Sequence, residues 1–101
     1  MKGSKMSVYM LIEAKKVMDP EMYGEYMKKV PPIIQKFGGR YLARGGTINA
    51  VLGDWKPMKI VIVEFESMEK FGAWYNSPEY RAIAQLREKS AKVDAVVVEG
   101  L

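Results

Sequence analysis

Tyr9-Met10-Leu11-Ile12 and Ile60-Val61-Ile62-Val63 are apolar at every position. Side chains alternate across a strand, so strands through these runs carry apolar groups on both faces and need cover on both. That requirement is severe for a chain of 101 residues. A domain of this size hides only about 60–70% of the surface its unfolded chain exposes. Two helices of the same chain cover one face of a small sheet, and the economical cover for the other is a second sheet. Two copies stacked face to face form a dimeric barrel, and a few hundred Å² of apolar area at ~25 cal/mol/Å² contributes several kcal/mol to pairing.

The remaining segments fit that outline. Val8 to Ala14 reads as the first strand. Asp19-Pro20 joins a capping acceptor to the one helical position that tolerates proline, and Glu21 adds charge to the first turn. Tyr23, Tyr26, Met27, Val30, Ile33, Ile34 and Phe37 then draw one stripe at helical spacing. Pro31-Pro32 remove two backbone donors and predict a kink or break, although the unchanged phase keeps the second segment on the same surface. Gly38-Gly39 supplies the stop.

Arg40 to Arg44 and Thr47 to Leu52 read as strand on either side of a bend at Gly45-Gly46. After the turn Gly53-Asp54-Trp55-Lys56-Pro57, the run Lys59 to Glu66 completes a hairpin. Ser67 caps a second helix carrying Met68, Phe71, Trp74 and Tyr75, and Ser77-Pro78 restarts it with Tyr80, Ile83, Ala84 and Leu86 inward. Lys89 to Asp94 is expected to unwind into a last strand, Ala95 to Glu99. The order is βαββαβ, an α+β arrangement with a four-stranded antiparallel sheet and both helical layers on one face. Residues 1–5 read as a start-site extension or cloning remnant before Met6, and 6–101 as one domain.

Composition narrows the chemistry. With no cysteine and no histidine, the chain has no thiolate nucleophile, no disulfide and no imidazole base or metal ligand. Its acids are dispersed, so no metal site is expected, and the paired glycines lack nucleotide-loop spacing, so no cofactor is expected. Sixteen Lys and Arg against twelve Asp and Glu give +4, or +2 once Lys2 and Lys5 of the lead are set aside, with no basic stripe. Nucleic acid is not an expected partner. An RNA-recognition module shares the element order, but Lys59-Ile60-Val61-Ile62-Val63-Glu64-Phe65 lacks its Gly-aromatic core. No uncharged run approaches the roughly 20 residues of a membrane span, and no secretory signal precedes Val8, so a cytoplasmic location is expected.

Arg40 and Arg44 lie four apart on one strand, which by alternation aims both at one face beside glycines. They form either a guanidinium clamp for a small anion or structural partners of Glu13, Glu64 or Glu99. Glu64 interrupts an apolar strand, so it is either paired or carries a raised pKa, and a carboxylate of that kind is the candidate general base. Trp74, Tyr75 and Tyr80 cluster at a helix interruption and either wall a ligand pocket or form ordinary core. The eight methionines are expected to fill core gaps more often than to bind anything.

The stretches Asp19-Pro20-Glu21-Met22-Tyr23-Gly24-Glu25-Tyr26, Val30-Pro31, Gly38 to Gly46, Gly53-Asp54-Trp55-Lys56-Pro57, Glu64-Phe65 and Trp74 to Tyr80 recur in this order and spacing in one family of small proteins. The sequence resembles the DUF1330 family over nearly its whole length after Met6, departing only by conservative swaps such as Lys56 and Asn76. The resemblance implies a dimeric α+β barrel of ferredoxin-like protomers and no particular activity. Related barrels include isomerases, monooxygenases and haem-handling enzymes, but fold kinship does not transfer chemistry. The expectation from sequence is a homodimer binding a small, partly apolar, anionic metabolite, with Arg40 and Arg44 as anchors and Trp74, Tyr75 and Tyr80 as walls. An enzyme version uses Glu64 or a tyrosine as base in a cofactor-free proton transfer or isomerisation. The alternative is a non-catalytic structural dimer without a ligand.

Overall fold

The central strand of the fold is β1 (Val8–Val17), flanked by β3 (Ile60–Phe65) on one edge and β4 (Ala91–Glu99) on the other, with β2 (Arg40–Arg44) outside β3. All three pairings are antiparallel, with Tyr9 opposite Glu64 in β3 and Val98 in β4. The computed structural model describes residues 6–101; the lead read as an extension or remnant lies outside the described residues. The helices α1 (Pro20–Lys36), α2 (Met68–Tyr75) and α3 (Pro78–Ser90) supply the second layer.

Alternation explains which face the helices take. Val8, Met10, Ala14, Val61, Val63 and Phe65 are buried, together with Tyr23, Tyr26, Val30 and Ile34 of α1. On the opposite face Tyr9, Leu11, Ile60 and Ile62 are half-buried, and Val96 and Val98 are 61% and 52% exposed. One apolar face of the sheet is therefore bare in the protomer, as the doubly apolar strands require.

α1 starts where Asp19 Oδ1 accepts from the Met22 N–H at 3.0 Å. It runs through Pro31 and Pro32 as one helix and not as two segments. Pro31 has no N–H for the Met27 carbonyl four residues earlier. Arg44 Nη2 reaches over from β2 and donates to that carbonyl at 2.8 Å, so the bond the proline removes is replaced from the sheet. The helix ends at Gly38, with φ +84°. Gly39 lets β2 start tight against the core: a Cβ there would lie 2.6 Å from Ile34 Cγ2 and 2.7 Å from the Phe65 ring.

Two expected strands differ. Thr47 to Leu52 forms no strand: the ladder on β3 from Glu64 to Val61 is made by Arg40–Arg44, and the chain after Gly46 does not return along the outer edge of β2. The hairpin is thus β2 with β3 across a long connection in which Val51, Leu52 and Met58 are almost fully exposed. At the other end, β4 begins at Ala91, directly after α3, and not at Ala95. β1 is longer than its apolar core and pairs Lys16 and Val17 with Lys92 and Ala91 beyond a bulge, so the ladder extends into the segment expected to unwind. The α2–α3 break falls where Ser77 predicts it. Its Oγ donates to the Trp74 carbonyl at 2.8 Å and accepts from the Tyr80 N–H at 3.1 Å, closing one helix and opening the next.

Candidate functional site

The two arginines do not meet. A register shift between Tyr41 and Ala43 adds a residue to β2, so Arg40 lies opposite Glu64 and Arg44 opposite Val61. Arg40 therefore shares the bare face with Glu64, while Arg44 shares the helix-covered side with Val61. The alternation that placed both on one face fails because of this single bulge. Arg44 is committed to the Met27 carbonyl, with its guanidinium 5.0 Å above the Tyr41 ring.

Glu64 Oε1 accepts from Arg40 Nε at 2.7 Å, and the Glu64 side chain is only 17% exposed. The Arg40 hydrogen bond holds the carboxyl below its ordinary value against the opposing effect of burial, and hydrogen bonds with Ser7 and Tyr9 add to the lowering. Of the two sequence alternatives, paired or raised, the geometry gives the paired one.

Trp74, Tyr75 and Tyr80 do come together, and with residues the sequence did not single out. Trp74 and Tyr80 are each 2% exposed, with ring centroids 4.3 Å apart. The Tyr80 and Tyr26 hydroxyls share a hydrogen bond of 2.9 Å. Arg87, one face-repeat further along α3, lies close to Tyr80, and its charge interacts with the Tyr80, Tyr26 and Tyr75 hydroxyls. These side chains and Met10, Ile12 and Val93 of the sheet enclose about 190 Å³ between sheet and helices, with the exposed Tyr75 and Ala95 at the mouth. An engineered apolar cavity of about 150 Å³ accommodates benzene, so the space suits a single substituted ring.

The polar lining is unusual in one respect. The Trp74 indole N–H is buried and has no hydrogen-bond partner among the described residues. A buried donor left unpaired costs about 1–3 kcal/mol, which is tolerated most readily where a bound molecule accepts from it. Burial pushes the Tyr26 hydroxyl far above the usual tyrosine range, and the neighbouring Tyr80 pushes it further. Burial also raises Tyr23 and Tyr41, which line a narrow extension of the cavity toward β2.

Tyr26 and Arg87 were legible in part. Tyr26 sits in the apolar stripe of α1 and was read as core. Arg87 follows Tyr80 and Ala84 at the spacing of one buried helix face, and a charge in that phase is the signal that would have found it. A second concavity, about 200 Å³, lies on the bare face among Leu11, Glu13, Trp55, Ile60 and Val96. There Trp55 Nε1 donates to Glu13 Oε1 at 3.3 Å. Among the described residues no group of three or more acidic, histidine or cysteine side chains is placed to hold a metal, and no helix is long and apolar enough to cross a membrane.

The family model described as "Domain of unknown function (DUF1330)" matches residues 7–101. No curated protein matches the sequence. Among solved structures, the chain is similar to the RPA0582 protein of unknown function from Rhodopseudomonas palustris, at 18% identity and TM-score 0.80 over 96% of this chain and 84% of that one. It is also similar to SnoaB, a cofactor-independent oxygenase from Streptomyces nogalater, at 8% identity and TM-score 0.68 over 95% and 94%. A dimeric ferredoxin-like protein of unknown function from Thermobifida fusca aligns at 12% identity and TM-score 0.59 over 98% and 95%. At these identities the similarity is one of fold: a ferredoxin-like sheet of four antiparallel strands under a helical layer.

Proposed function

The chain belongs to the DUF1330 family, which brings a fold and no activity, and from that premise we propose that it is a homodimer binding one small, partly apolar, anionic molecule in the sheet–helix cavity of each protomer. The observation that carries this is a cavity lined by the Arg87 guanidinium and by Trp74, whose buried indole N–H has no partner among the described residues. The anion anchor is Arg87, because Arg40 and Arg44 are engaged elsewhere. In this reading Trp74, Tyr75 and Tyr80 are the walls. Glu64 lies on the opposite face of the sheet from this cavity and is spoken for by Arg40, which argues against it as the base of a reaction there. SnoaB, which shares the fold, is described as a cofactor-independent oxygenase, in keeping with a site that takes a ligand without a cofactor.

Dimerisation is supported by the bare apolar face and by the flat protomer, 45 × 38 × 17 Å. Its radius of gyration is 14.3 Å, against about 13 Å for a compact chain of this length. The Thermobifida fusca neighbour is described as dimeric. The concavity under Trp55 belongs to this interface. The purely structural dimer is favoured by one observation, that both strand arginines are committed within the protomer.

A thermal-shift screen of single-ring carboxylates and phenols tests the binding reading. A ligand at 100 times its dissociation constant stabilises by about 2.7 kcal/mol. Binding that raises the melting temperature and is lost in Arg87→Gln is the expected result. Absence of any shift at millimolar ligand refutes it and leaves the structural dimer.

A further inference from the structure

The ionisable groups around the cavity come from every element that faces it. α1 contributes Tyr26, with Tyr23 beyond it; α2 contributes Tyr75 and the Trp74 N–H; α3 contributes Tyr80 and Arg87; β2 contributes Tyr41 at the narrow end, with Arg44 near it. β1 and β4 present only apolar groups, Met10, Ile12, Val93 and Ala95. Among the described residues no carboxylate lines the cavity: Glu88, 3.9 Å from Arg87, is exposed, and Glu64 is across the sheet. Among the described residues the lining thus holds the Arg87 guanidinium, the Trp74 indole and tyrosine hydroxyls, and no carboxylate, imidazole or amine to act as a base.

We propose that this cavity takes its ligand as the conjugate base of a flat weak acid, a phenol or an enol, and stabilises that base through donors alone. This rests on the binding reading above and narrows it. Donors and a cation in a desolvated site favour the charged form of whatever oxygen they face. The apolar sheet wall and the aromatic faces suit an anion whose charge spreads into a ring. A carboxylate confines its charge to two adjacent oxygens, which the apolar sheet wall and ring faces solvate poorly on the sides that Arg87 does not reach. Because no protein base is present, the proton leaves to solvent when the ligand binds: the ligand O–H bond breaks, water accepts the proton, and the electron pair stays on the ligand oxygen.

4-Nitrophenol is a direct probe, since its phenolate absorbs in the visible and reports its own ionisation. The expected result is that bound nitrophenol ionises about one unit or more below the free compound. Arg87→Gln should abolish that shift. Trp74→Phe, which keeps the buried ring and loses only the N–H, should weaken phenolate binding about tenfold, the equivalent of one hydrogen bond to a charged acceptor. Glu64→Gln should leave the shift unchanged. Nitrophenol bound in its neutral form, or a shift that survives both Arg87→Gln and Trp74→Phe, overturns the proposal. So does benzoate binding where nitrophenol does not, although the binding reading then stands. If neither compound moves the melting temperature, the binding reading falls with it.

Discussion

Arg44→Met isolates the link between β2 and the proline pair of α1, because it removes the guanidinium and keeps most of the aliphatic stem. Two interactions go. One is the donor to the Met27 carbonyl at 2.8 Å, worth about 1 kcal/mol at an exposed site. The other is the stack over Tyr41 at 5.0 Å, worth about 0.5 kcal/mol. The sum, about 1.5 kcal/mol, corresponds to a fall of about 6–12 °C in melting temperature for a domain of this size. Pro31→Ala then supplies the partner that sequence denies the helix, since residue 31 regains an N–H for the Met27 carbonyl. In that background Arg44→Met should cost only the stacking share, about 0.5 kcal/mol, leaving a coupling of about 1 kcal/mol between positions 31 and 44. Denaturant unfolding of the four proteins at one fixed concentration measures the cycle. Equal costs of Arg44→Met in both backgrounds would refute the replacement of the missing bond. If Arg44→Met melts like the parent and loses benzoate binding, Arg44 is a ligand anchor and the structural role assigned to it is wrong.

Three further outcomes are expected. Glu64 is held below its ordinary 4.5 in the fold, so its pairing with Arg40 stabilises above that value and is lost as pH falls through the lower folded one; the melting difference between the parent and Glu64→Gln should therefore shrink on acidification, and a difference that grows instead contradicts the sign. Gly39→Ala should cost about 1–3 kcal/mol, because its Cβ would meet Ile34 and Phe65 at 2.6 and 2.7 Å; unchanged chemical denaturation would show that the approach is looser than it looks. Val96→Asp, on an exposed position of the bare face, should leave circular dichroism intact and convert a dimer to monomer in sedimentation velocity; identical sedimentation of parent and variant would remove that face from the interface.

The elements were legible where local chemistry decides them. Asp19, Ser67 and Ser77 cap the helices they announce, and the stripe from Tyr23 to Ile34 faces the core. The misread elements depended on partners distant in sequence. Thr47 to Leu52 has strand-like composition and no partner strand, and Lys89 to Asp94 has helix-end composition and a long β1 to pair with. The candidate site divides in the same way. Trp74, Tyr75 and Tyr80 are neighbours in sequence and form one cluster, whereas Tyr26 joins them from 54 residues before Tyr80, through a shared hydroxyl hydrogen bond and an edge contact of the two rings.

What the sequence determined by itself was the layer arrangement, because apolar groups on both faces of β1 and β3 are a local property of strands and oblige cover on both sides. What only the tertiary structure decided was which polar groups meet. One extra residue at the Tyr41–Ala43 bulge sends Arg40 to Glu64 and Arg44 to the carbonyl that Pro31 leaves unpaired. Strand alternation has a period of two, so a shift of one residue reverses every side chain after it, and no composition or spacing announces where that shift falls.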